Sequence, residues 1–196
     1  ACHLNPALKA SWMGQKKLLT TMSQPERLAQ VQKRLDWLDT LPPNLIASWD
    51  LLHEGRLHKA EQLCRQFLQQ HPQHTDGMRI LAEIAVKHGV LEDAEFLLES
   101  AVEFAPTDRQ ARIDYVQILS KRQRFQRAVE EAKTLLEQDT NSLQLQSLYA
   151  IQSMQLGDYE TALDFFEKIL TEVPRDPITH VSRGHALKTG GKMDDA

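Results

Sequence analysis

A chain of 196 residues with 27 acidic and 23 basic side chains has a formal charge of −4, and the two signs are interleaved, so it offers no basic face of the kind that holds nucleic acid. Two cysteines, Cys2 and Cys64, are too few and too scattered for a disulfide framework or a thiolate metal site, and they fit a reducing, cytoplasmic setting. No apolar run approaches the roughly 20 residues that cross a bilayer, so no membrane partner is expected, and a composition rich in Leu, Gln, Ala, Glu and Lys favours helix over strand.

The first 40 residues are irregular. Pro6 followed by Ala-Leu-Lys-Ala-Ser-Trp12 reads as the start of one helix, and Ser23-Gln24-Pro25-Glu26 as the capped start of a second. From Pro42-Pro43 onward the apolar periodicity is helical, as in Leu81, Ala82 and Ala85 against Ala94, Leu98, Ala101 and Val102. Helices are predicted near 43–54, 57–70, 76–88, 91–104, 109–121, 125–138, 143–156, 159–172 and 177–189.

These segments repeat. Ala60, Ala94, Ala128, Ala162 and Ala196 are spaced by 34 residues each time, and Gly55, Gly89, Gln123, Gly157 and Gly191 run five residues ahead of them. Leu57, Leu91, Phe125, Tyr159 and Met193 form a third column, and Pro72, Pro106, Thr140 and Pro174 a fourth. Every column has a physical reason. Glycine permits the left-handed residue that ends one helix, the bulky apolar residue anchors the next, and proline stops the second helix. The alanine marks a helix crossing too close for a larger side chain.

The columns resemble the tetratricopeptide repeat (TPR), a 34-residue pair of antiparallel helices. That resemblance implies an all-α fold, a right-handed α-α superhelix. Residues 1–40 are then a degenerate helix pair, and 41–196 an array of repeats at 41–74, 75–108, 109–142 and 143–176 with a fifth begun at 177–196. Stacked repeats need a polar cap or a neighbour at their ends, and Ala196 is the packing alanine of a helix barely begun, so the chain is expected to belong to a longer protein.

A narrower resemblance follows. Gly184-His185-Ala186-Leu187-Lys188-Thr189-Gly190-Gly191-Lys192 is similar to a segment of bacterial proteins that join TPR repeats to a C-terminal sulfotransferase domain. Leu4-Asn5-Pro6-Ala7-Leu8 with Trp12, Ala60-Glu61-Gln62-Leu63 with His71-Pro72, and Met78-Arg79-Ile80-Leu81-Ala82-Glu83 agree with it in the same order, whereas Arg183 stands where that family has an aromatic residue. The resemblance implies that this chain is the non-catalytic part of a sulfotransferase, whose phosphoadenosine phosphosulfate donor binds beyond Ala196. The alternative is a free-standing adaptor with no enzyme attached.

Within the chain itself no catalytic, cofactor or metal residue is expected. His53 and His58 are five residues apart across a helix-ending glycine, unlike a zincin pair one turn apart on one helix. Thr189-Gly190-Gly191-Lys192 lacks the spaced glycine and preceding strand of a phosphate loop. What remains is surface. In a TPR the first helix of each pair lines the concave side, and residues one turn apart face the groove.

That register selects Leu45, Trp49 and His53, then Arg79, Glu83 and Lys87. Further along it selects Ile113, Gln117 and Lys121, then Ser147, Ile151 and Gln155, and last Val181, His185 and Thr189. The expected binding surface rests on Trp49, Arg79, Glu83, Lys87, Gln117, Lys121, Ile151 and His185, and its occupant is a protein or peptide, or the chain's own C-terminal catalytic domain. The Lys and Asn set that grips a C-terminal carboxylate is missing, as is an asparagine ladder. Trp49 has two readings, an exposed anchor for a partner or a core residue buried against the degenerate first pair.

Overall fold

The computed structural model describes residues 9–22 and 25–191, and every regular element among them is a helix. In chain order these are α1 (Lys9–Thr21), α2 (Pro25–Thr40), α3 (Pro43–His53), α4 (Leu57–Gln70), α5 (Thr75–His88), α6 (Leu91–Phe104), α7 (Arg109–Lys121), α8 (Phe125–Gln138), α9 (Leu143–Leu156), α10 (Tyr159–Glu172) and α11 (Pro177–Thr189). Those from α3 on start and stop within a residue of the positions that periodicity predicts. The expected start at Pro6, the cap at Ser23-Gln24, and the last members of two columns, Met193 and Ala196, lie outside the described residues.

Helix ends explain this agreement. Gly55, Gly89, Gly157 and Gly191 have φ of 77°, 80°, 95° and 81°, the left-handed region where a side chain clashes with its own backbone. Gln123, the odd member of that column, adopts φ 60° all the same. The reason is the hydrogen bond that the left-handed residue closes: Arg56 N–H to Leu51 O at 2.9 Å, Val90 to Ala85 at 2.9 Å, Arg124 to Leu119 at 2.8 Å and Asp158 to Ser153 at 2.9 Å. Each satisfies a carbonyl in the last turn of a first helix. Thr140 shows the same independence, since Asp139 before it takes φ −152°, ψ 81° much as His71, Ala105 and Val173 do before their prolines.

The chain divides into two compact units, Ala1–Ala105 and Pro106–Ala196. In unit 1 the core gathers Leu38, Leu45, Trp49, Phe67, Ile80 and Ile84 around Ala60, which is wholly buried. Ser48 Oγ donates to the Ala60 carbonyl at 2.8 Å, so α3 and α4 meet backbone to side chain at the alanine. One step on, α4 meets α5 at Gly77, where an added Cβ would lie 2.8 Å from Leu68 Cδ2. Cys64 sits at this junction, fully buried, its Sγ–H donating to the Gly77 carbonyl at 3.3 Å. Burial pushes its thiol up to about 12, so it stays neutral and packs as a small apolar group.

Unit 2 is built alike. Ala128 and Ala162 are wholly buried, and Ala150, Leu163, Phe166, Ala186 and Leu187 form a core shared by α9, α10 and α11. Asp108, Asp158 and Asp176 cap α7, α10 and α11 by accepting first-turn N–H groups. The Asp176 carboxyl is held below the usual carboxylate range by the hydroxyl and N–H of Thr179.

Two outcomes follow. Leucine at Ala94 or Ala128 should overpack a helix crossing and cost about 1–3 kcal/mol, read as a lower denaturant midpoint; an unchanged midpoint in both variants would contradict the close crossing. Gln123→Gly relieves a left-handed residue and should stabilise by about 1 kcal/mol, seen as a raised Tm.

Candidate protein-binding surface

Each unit carries its own set of predicted surface residues, and the two sets differ. In unit 1 the α3 residues do not face solvent. Leu45 is wholly buried, and Trp49 retains 8 % of its surface, packed edge-on against Trp37 of α2 with ring centroids 5.1 Å apart. His53 stacks on Trp49 at 5.4 Å and meets the Trp49 carbonyl through Nδ1 at 2.9 Å. Of the two readings of Trp49, the structure shows the buried one. The physical reason is α2, which carries Trp37 and Leu38 at its C-terminal end onto α3.

Trp37 also reaches past α3 to α5. Its Nε1–H donates to Asp76 Oδ1 at 3.1 Å, and the same oxygen accepts from Arg79 Nη1 at 2.7 Å. Arg79 is thereby turned along its own helix, and its side chain keeps only 13 % exposure. Glu83 is half-buried and Lys87 exposed. Sequence reasoning selected Arg79 but missed Trp37 and Asp76; the one signal available was an acidic residue three positions before an arginine on the same predicted helix.

In unit 2 the first helices are more open. Gln117 and Lys121 of α7 and His185 of α11 are exposed, and Ile151 of α9 is half-buried. Ile113 departs from expectation: it is buried, as Leu45 is. Its counterpart on α11, Val181, is 74 % exposed, and Ile178 one turn earlier is 69 % exposed. Ser120 of α7 donates to Gln155 of α9, and α9 also touches α11, so these three helices lie side by side.

Two histidines serve packing and capping. His71 and His74 both lie against the Phe67 ring, at 4.7 and 5.0 Å, and His74 Nδ1 accepts from Gly77 N at 3.2 Å to cap α5. Among the described residues no three His, Cys, Asp or Glu side chains converge on a metal position, and no helix is long and apolar enough to cross a membrane.

A family profile described as the cytochrome c-type biogenesis protein H TPR domain matches residues 62–179. The chain belongs to this TPR family. Among solved structures, a tetratricopeptide repeat protein from Parabacteroides merdae superposes with a TM-score of 0.69 at 16 % identity, covering 94 % of this chain and 74 % of that one. MamA from AMB-1 superposes at 0.67 with 18 % identity over 79 % of this chain and 91 % of its own, and another crystal structure of MamA at 0.65 with 17 % identity over 76 % and 86 %. No curated protein matches. The TPR fold class, the all-α α-α superhelix, is thus established, and it is a scaffold suited to binding proteins.

The Trp37–Asp76–Arg79 link gives a direct test. Asp76→Ala leaves a partly buried indole N–H and a guanidinium without their shared acceptor and should cost about 1–3 kcal/mol. Asp76→Asn keeps an acceptor for Trp37 and should lose less; equal losses in denaturant melts would contradict the shared role.

Proposed function

We propose that this TPR chain is a protein-interaction module in which a segment of a partner protein lies on the faces presented by the first helices of the pairs. The observation that carries this is a division of labour seen along the described repeats after the first. The alanine column is sealed inside, whereas Lys87, Gln117, Lys121 and His185, at groove register, remain on the surface. Such faces differ from pair to pair while the interior repeats, which lets sequence change recognition without changing the scaffold.

Membership in a TPR family named for cytochrome c-type biogenesis fixes the scaffold, and the partner is argued from the side chains. A second reading rests on the Gly184–Lys192 segment and the upstream stretches that agree with it: a longer protein holding this chain would carry a sulfotransferase domain using phosphoadenosine phosphosulfate, with the repeats positioning its acceptor or the domain itself. Sulfuryl transfer from labelled donor by the intact gene product would support that reading over a free-standing adaptor.

Photo-crosslinking discriminates the interaction face. A benzophenone side chain placed at Gln117 or Lys87 should yield partner adducts in cells, and one placed at Glu130 or Lys59 on second helices should not. Adducts from the second-helix sites alone would overturn the proposal.

A further inference from the structure

We propose that an exposed stripe of α6, separate from the first-helix faces, is a second docking surface, and that it takes a partner protein segment whose arginines stack on Phe96 and Phe104 and pair with Asp93 and Glu103. Residues four apart share one side of a helix, so Phe96, Ser100 and Phe104 form a single line along α6. Phe96 is 68 % exposed and Phe104 48 %. One exposed ring needs no explanation, but two on one stripe of a 14-residue helix do.

The repeat supplies the comparison. At the 34-residue spacing, the counterparts of Phe96 are Gln62, Glu130 and Asp164, and those of Phe104 are Gln70, Gln138 and Glu172. All six are polar and exposed. Packing within the pairs thus asks for no apolar side chain at either position, and α6 departs from α4, α8 and α10 by placing a phenyl ring at both. Because the same positions meet solvent on all four helices, the exposure belongs to the register and not to a chain end.

Charge selects the occupant. α6 carries Glu92, Asp93, Glu95, Glu99 and Glu103 and no basic residue, whereas α4 in the same unit carries Lys59 and Arg65. Asp93 lies one turn before Phe96 and Glu103 two turns after it, and both are exposed. An acidic peptide, an anionic membrane or a nucleic acid meets like charge here. A guanidinium matches both features at once: its plane lies on an aromatic ring while its N–H groups bond carboxylates. A lysine ammonium brings the charge without the plane. A second copy laying its own α6 on this one would bring two acidic helices together, which disfavours that pairing.

The test uses the whole chain and a fluorescein-labelled peptide of arginines and leucines in a Gly-Ser background, with twins in which lysine or glutamate replaces every arginine. The arginine peptide should bind most tightly, weaken as salt is raised, and lose about 10-fold in affinity with Phe96→Ser and Phe104→Ser together. Asp93→Asn with Glu103→Gln should weaken it by about 5-fold and flatten its salt dependence. Gln62→Ala with Gln70→Ala, the same register on α4, should leave binding unchanged. All six substituted positions are exposed, and circular dichroism melts confirm folding.

A lysine twin that binds equally well, a glutamate twin that binds better, no binding, or indifference to the Phe96 and Phe104 substitutions would overturn the proposal. So would an equal loss in the α4 control, or amide shifts that fall on α5, α7, α9 and α11 instead of α6. Sedimentation decides between a partner and a second copy. A monomeric wild type supports the arginine segment, whereas a dimer that Phe96→Ser with Phe104→Ser converts to monomer would assign the stripe to self-association and overturn it.

Discussion

The close helix crossing at the alanine column is the constraint on which the rest depends. Ala60, Ala94, Ala128 and Ala162 are wholly buried, and at Ala60 the contact is tight enough for Ser48 to reach the backbone carbonyl. Such a crossing tolerates no larger side chain, so it fixes the spacing of the two helices in a pair and passes the same geometry to the next. A helix pair cannot bury its own apolar face, and stability comes from neighbours stacked at that fixed spacing.

The interior is committed to packing, and the first-helix residues at groove register differ in burial between the two units. In unit 1 the N-terminal pair closes over α3: Trp37 covers Trp49 and donates to Asp76, which also accepts from Arg79. In unit 2 Gln117, Lys121 and His185 stay exposed, and most helical carboxylates lie on α8 and α10, where Glu131 and Glu167 pair with arginines of the first helices. A net charge of −4 hides this separation, since the sum is blind to which helix bears each sign.

Helix ends were readable along the chain because they are local. The left-handed residue and the hydrogen bond it closes span six residues, and a 34-residue period repeats the signal often enough to be seen through its exceptions, Gln123 and Thr140. The exposure of the candidate surface was legible only in part. Gln117, Lys121 and His185 were placed on an exposed face by register alone, whereas Leu45 and Ile113 share that register and are buried. Helical periodicity states which residues share a face, and says nothing of how far a neighbouring helix covers it.

By itself, then, the sequence determined the helix pairs, their boundaries, the TPR family and the alanine crossings, all of which depend on contacts within one repeating unit. Only the tertiary structure decided that Trp49 is a core residue and that Asp76 joins Trp37 to Arg79. The physical reason is range: a turn or a cap is settled by neighbours along the chain, whereas burial and ion pairing are settled by side chains that only folding brings together.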